Sequence, residues 1–193
     1  MKETSEYILN FLHAIERLKY ELRHSWTSQG RRESVAEHSW RVALMLVVCA
    51  PYLEKRIDLL KALKIALLHD LGEAKIGDKH YLDINNTEES KRTRSLLEKQ
   101  AVDELTHLLG AEGSSIATLW REFEERHSEE AKIVYFLDKL EACVQHNEAN
   151  ISTWTEREID AIEEYFDDLK IDDKFLLSLK GAIKSESFKK VRN

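Results

Sequence analysis

Proline is almost missing from this 193-residue chain, which has one, Pro51, and only six glycines. Valine, isoleucine and threonine do not gather in alternating runs. A sheet-rich fold needs such runs and the turn residues between them, so these shortages argue for an all-α protein. Cysteine is equally scarce: Cys49 and Cys143 both fall inside helical patterns, and two thiols make no disulfide framework. They are expected to be buried free thiols of a cytoplasmic protein in a reducing compartment. No long apolar span and no N-terminal signal pattern occurs, so no membrane insertion is expected. Positive charge is in deficit as well, with 29 Lys and Arg against 36 Asp and Glu and a formal net charge of −7. That balance speaks against a nucleic-acid polymer as partner. A small phosphorylated substrate stays open, because a local cation can reverse the local field.

What the chain does have is 42% apolar and 34% charged residues, enough for one domain over 1–193 with a sizeable core. Apolar periodicity predicts a helix over residues 4–20, followed by a polar connector, RHSWTSQGRRE. Ser34-Val-Ala-Glu37 is a capping box that opens the next helix, which runs to Pro51. A third helix is expected over about 55–71, an irregular stretch over 72–90, and a helix over 90–109 ended by Gly110. Ser114 or Ser115 opens another, and Ser128 the one after it. Thr155-Glu-Arg-Glu158 is a second capping box, and C-terminal helices cover about 155–183 with a frayed polar tail beyond.

The stretch LLHDLGEAKIGD, residues 67–78, puts His69 and Asp70 at the end of an apolar helix, with Glu73 a turn later and Asp78 just past a glycine. Burying that many ionisable groups costs several kcal/mol unless something cationic compensates, roughly 2–7 per polar group. Two further residues stand out. His38 lies in the first turn of a capped helix, and Asp138 sits in the middle of AKIVYFLDKLEACVQ, where Glu141 and Gln145 share its face. Imidazole nitrogens and carboxylate oxygens drawn from separate helices suit a divalent transition metal, and two His with two Asp leave open positions on an octahedral ion. Taken singly, each of these residues is better read as structural than as a metal ligand. The spacing of His13, His24, His80, His107, His127 and His146 suggests no companions, and these are expected to be surface or structural. Trp40, Met45 and Trp120 suit either a core or a dimer face.

The order of a His, then a His-Asp pair, then a distant Asp resembles the HD superfamily of metal-dependent phosphohydrolases. ESVAEHSWRVA (33–43), ALLHDLGEAKIGD (66–78) and EAKIVYFLDKLEACVQ (130–145) are similar to three motifs of its 5′-deoxynucleotidase branch, spread over about residues 8–150. The resemblance implies a single-domain, all-helical HD-domain bundle, often a homodimer, that hydrolyses nucleoside 5′-monophosphates. It implies His38, His69, Asp70 and Asp138 as metal ligands, and Glu73 and Asp78 as acidic catalytic residues. Arg23 and Trp26, in RHSW, resemble the Arg and Trp that contact phosphate and sugar. The metal would be manganese, cobalt, nickel, iron or zinc, since nitrogen and oxygen donors accept all five. Glu141 and Gln145 could stand behind Asp138. The run Gly77-Asp78-Lys79-His80 departs from relatives, which often carry a proline there. Two other readings remain: an HD hydrolase of another substrate such as a nucleoside triphosphate, and a metal- or nucleotide-binding module without turnover.

Overall fold

Helix boundaries follow local chemistry closely. The computed structural model describes residues 2–78 and 87–192. Helix α1 spans Lys2–Ile15 and tightens into a 3₁₀ turn over Glu16–Lys19, so the helix expected over 4–20 changes character near its end. The polar connector is not a plain loop. It pairs as a short antiparallel hairpin, β1 (Leu22–Trp26) with β2 (Arg32–Ser34), bent by an irregular register between its ends. Five residues separate the strands, and Gly30 takes φ +75 in that turn, a backbone region open to glycine. The hairpin was not legible because neither strand alternates apolar and polar residues.

Helix α2 (Val35–Cys49) starts at the Ser34–Glu37 capping box, in which Glu37 N–H donates to Ser34 Oγ and Ser34 N–H to Glu37 Oε2. Helix α3 (Leu59–Leu68) is shorter than the expected 55–71, because Asp58 caps its N-terminus and the chain turns at His69. One helical turn, α4 (Glu73–Ile76), interrupts the stretch expected to be irregular; the rest of that stretch over 79–86, including His80, lies outside the described residues. Helices α5 (Glu88–His107), α6 (Gly113–Glu125) and α7 (Glu129–Glu148) follow, the last capped by Ser128 as expected. Helix α8 (Glu156–Asp168) begins at the Thr155–Glu158 capping box.

Helix α9 spans Lys174–Arg192, and the tail beyond 183 is therefore not frayed. The fully buried Ser187 hydroxyl donates to Asn147 Oδ1 at 2.9 Å, and Lys190 Nζ donates to the Asn147 carbonyl at 2.7 Å. Ser187 and Lys190 face helix α7 there, while Ser185, Glu186 and Lys189 stay exposed, a division that composition alone could not reveal.

Two apolar clusters hold the helices. The larger gathers Val42, Leu46, Ile65, Leu137, Phe166 and Leu176 from α2, α3, α7, α8 and α9. The smaller joins Phe11, Leu71, Val102, Leu105 and Trp120. Cys49 and Cys143 are buried and free. Among the described residues, no helix is long and apolar enough to cross a membrane.

Candidate metal centre

The site grows from three helices and the hairpin. His38 comes from the first turns of α2, His69 and Asp70 from the end of α3, and Asp138 from the middle of α7. Asp138 is 5% exposed, so the apolar residues before it do not leave it on a solvated stripe. The backbone break at the end of α3 is stabilised from outside: Trp120 Nε1 donates to the His69 carbonyl at 3.0 Å, one of the helix-end acceptors that has no intrahelical donor. This makes Trp120 a core residue, whereas Trp40 is 62% exposed.

The donor atoms converge. His38 Nε2 lies 3.0 Å from Asp138 Oδ1, 3.3 Å from His69 Nε2 and 3.7 Å from Asp70 Oδ2. His69 Nε2 lies 3.2 Å from Asp70 Oδ2 and 3.8 Å from Asp138 Oδ1. Donors on an ion with bonds of about 2.1 Å stand about 3.0 Å apart at octahedral angles and about 3.4 Å apart at tetrahedral ones. The tautomers point the same way. His69 donates its Nδ1–H to the Ala66 carbonyl at 2.8 Å, and His38 Nδ1 contacts Glu141 Oε2. When neutral, each ring turns a bare Nε2 lone pair towards the other and towards two carboxylates, an arrangement that repels itself unless a cation or a proton sits among them. The residues present therefore fit a divalent metal.

Electrostatics agree. Burial disfavours a charged His69, but Asp70 and Asp138 outweigh it and hold the imidazole well above its ordinary value. His38 is raised too, against burial and Arg23, chiefly by Glu141 and Asp138. Asp138 and Asp70 are both held low despite burial, Asp138 by Lys139 and the two histidines, Asp70 by His69, His38 and Arg23. The centre already favours positive charge in the place where an ion would supply it.

Around the four donors stands a wall of charged groups. Glu73 is buried at the start of α4, and among the described residues its Oε2 finds no hydrogen-bond partner. Burial, with Asp70 and Asp78 nearby, pushes its carboxyl up to about 10, although Arg23 and Arg94 pull the other way. Asp78 follows Gly77, whose φ of +77 makes the turn. A Cβ there would meet Glu21 Oε1 at 2.9 Å, the same oxygen that accepts from Asp78 N–H. Arg23 reaches from β1, its Nη1 3.4 Å from Asp70 Oδ2 and its Nε 3.6 Å from Glu33 Oε2.

A cleft of about 1380 Å³ opens onto this centre, lined by Arg23, His69, Asp70, Glu73, Asp78 and Asp138 among others. His38 lies behind that lining, fully buried. Trp26 is not part of the lining, and its backbone carbonyl accepts from Gln145 Nε2 at 2.6 Å. Glu141 and Gln145 are buried rather than solvated: Arg41 donates to both, at 2.5 Å each, and so locks the carboxylate that orients His38.

Sequence reasoning missed Lys139, Arg94 and the pair His24 and His146. Lys139 Nζ stands 3.1 Å from Asp138 Oδ2 and is pushed up to about 12 by that carboxylate. Its position next to Asp138 in the chain was the available signal. Arg94, from α5, comes within 3.6 Å of Glu73, a contact between distant segments that no local pattern announces.

A helical bundle with a His-His-Asp-Asp centre at the base of a charged cleft defines a class of metal-dependent hydrolase, and comparison with known proteins agrees. The family model described as HD domain matches residues 15–174, and the chain belongs to that family. Within it, the chain is 37% identical over 146 residues to a 5′-deoxynucleotidase HDDC2 of Dictyostelium discoideum, covering 71% of this chain and 74% of that one. It is 33% identical over 144 residues to the human protein of the same name, covering 73% and 67%. A crystal structure of a predicted metal-dependent phosphohydrolase from Magnetospirillum magnetotacticum superposes with a TM-score of 0.81 at 23% identity, over 97% of each chain, and shares the fold.

Proposed function

We propose that the chain is a metal-dependent phosphomonoesterase that releases phosphate from nucleoside 5′-monophosphates, with deoxynucleotides preferred. The observation that carries this reading is the convergence of two imidazole Nε2 atoms and two carboxylates beside the buried Glu73, whose Oε2 has no hydrogen-bond partner among the described residues. The 5′-deoxynucleotidase relatives supply the substrate class.

His38, His69, Asp70 and Asp138 would hold the ion. When bound, such an ion polarises a phosphate oxygen and makes a water more acidic. Its donor set accepts manganese, cobalt, nickel, iron or zinc. The chain's own side chains do the rest. Arg23 presents a planar fork to the phosphate, and the ammonium of Lys139 adds a second fixed positive charge. A water oxygen attacks phosphorus in line as the bond to the 5′-oxygen breaks, and the proton this water releases restores the Glu73 carboxyl once Glu73 has protonated the leaving oxygen. Glu73, whose carboxyl is raised by burial and by Asp70 and Asp78, is the group placed to pass a proton to that leaving oxygen. Asp78 accepts from a sugar hydroxyl at the rim. The chain works as one domain, since α9 is fastened to α7 through Asn147.

A homodimer fits the surface. Trp40, Leu44 and Val47 form an exposed apolar stripe along α2, and Leu60 and Leu67 stand exposed on the neighbouring α3. A second copy would cover them. Two buried free thiols suit a reducing, cytoplasmic setting.

Phosphate release from a panel of deoxy- and ribonucleoside 5′-monophosphates tests the assignment, with the protein stripped by chelator and each metal restored in turn. Metal-dependent release that Asp138→Ala abolishes is the expected result. No release from folded, metal-loaded protein with any monophosphate would overturn it.

A further inference from the structure

A second group of donors lies on the same cleft, away from the four residues described above. His24 on β1, His146 near the end of α7 and Glu158 in the first turn of α8 offer ligand atoms all within 4.8 Å of one another. His146 Nε2 is 2.9 Å and His24 Nε2 3.2 Å from the same oxygen, Glu158 Oε1. Neighbouring donors on a zinc-sized ion stand about 2.9–3.4 Å apart for bond angles between 90° and tetrahedral.

The hydrogen bonding around His146 repeats that around His69. Its Nδ1–H donates to the Ala142 carbonyl at 2.9 Å, one turn back on α7. The neutral ring then faces a carboxylate oxygen with a bare Nε2, lone pair against lone pair, at a distance that needs a cation or a proton between them. A backbone carbonyl behind the ring is also what fixes the tautomer of a metal-ligating histidine. Trp154 closes the ring in, edge to face at 5.3 Å, and donates its indole N–H to the His146 carbonyl at 3.0 Å. Glu158 is held from its other oxygen, since Thr155 N–H and Oγ–H donate to Oε2 at 2.7 and 2.9 Å. The capping box of α8 therefore fixes a buried carboxylate with Oε1 turned towards both imidazoles, and His24 Nε2 also lies 3.3 Å from Oε2.

We propose that His24, His146 and Glu158 form a second cation site, distinct from the His-His-Asp-Asp centre, that binds a zinc-class divalent ion. Two imidazoles and one carboxylate leave a fourth position open. All three ligands line the cleft, so that position is available to water or to an oxygen donor of a bound substrate. His24 follows Arg23 on β1, which places the two centres along one wall. This inference does not rest on the phosphatase assignment, because it concerns metal binding alone.

The test is equilibrium dialysis of the full chain, stripped by chelator, against zinc or cobalt alone, with bound metal counted for wild type, His146→Gln, His24→Asn and Asp138→Ala. The expected result is one ion fewer per chain in each histidine variant than in wild type, with that ion retained by Asp138→Ala. Long-range proton–nitrogen NMR of the wild-type histidines provides a readout that needs no variant. Zinc should move Nε2 of His24 and His146 as well as of His38 and His69. Histidine variants that bind as many ions as wild type while folded, or a spectrum in which only His38 and His69 respond, would overturn the proposal. The His146–Glu158 contact would then be an ion pair closed by a proton.

Discussion

Replacing Glu73 by Gln should make the metal-free protein more stable while making it a poor catalyst. The carboxyl, ordinarily near 4.5, is pushed up to about 10 by burial and by Asp70 and Asp78. Between those two values the folded chain binds a proton that the unfolded chain has released. Stability contributed at this position is therefore complete below about pH 4.5 and declines as pH rises towards the folded value. At pH 7 the interval above 4.5 is about 2.5 units, and at 1.36 kcal/mol per unit the penalty is about 3 kcal/mol. A neutral amide of the same shape escapes it. For a chain of this size that corresponds to a rise in Tm of about 6–12 °C. Urea unfolding of both proteins in chelator, at pH 4 and pH 7, measures it directly. The variant should gain about 3 kcal/mol at pH 7 and almost nothing at pH 4, where wild-type Glu73 is protonated in both states. Added metal should narrow the gap, since a cation beside Asp70 stabilises the wild-type carboxylate. Phosphate release should fall by about 10²–10⁴-fold, the usual contribution of a positioned proton donor. A variant that is no more stable than wild type at pH 7, or a gain equal at both pH values, would refute the reasoning.

Other consequences can be checked with ordinary methods. Glu141→Gln weakens the carboxylate that orients His38, so metal affinity should drop about 10–100-fold in chelator competition while the far-ultraviolet circular dichroism stays unchanged. Ser34→Ala removes the cap of α2 and should cost about 1 kcal/mol in urea unfolding. Burial pushes the Cys143 thiol up to about 12 and raises that of Cys49, so a disulfide reagent at pH 8 should find no thiol in the native protein and two after denaturation. Truncation after Ile183 deletes the Ser187 and Lys190 bonds to Asn147 and should lower Tm by several degrees, whereas loss of a frayed tail would leave it unchanged.

Local chemistry determined much of this protein from sequence. Both capping boxes, the Ser128 cap of α7, the helical class and the burial of Cys49 and Cys143 depend on residues a few positions apart, and so were readable in order along the chain. His38, His69, Asp70 and Asp138 were legible for a different reason: a divalent ion demands certain donor types, and their order resembled a known family. Tertiary structure decided the rest. The hairpin at 22–34 forms because it packs between α7 and the start of α2, not because its strands alternate. Helix α9 continues to Arg192 because Asn147, 40 residues away from Ser187, accepts its hydroxyl. Glu141, expected to stand behind Asp138, becomes the buried partner of His38 across 103 positions of chain. His24, His146 and Glu158 meet in the same way, from a strand and two helices whose sequences share no spacing. Contacts of that range depend on how the helices pack, and packing is a property of all the apolar faces together.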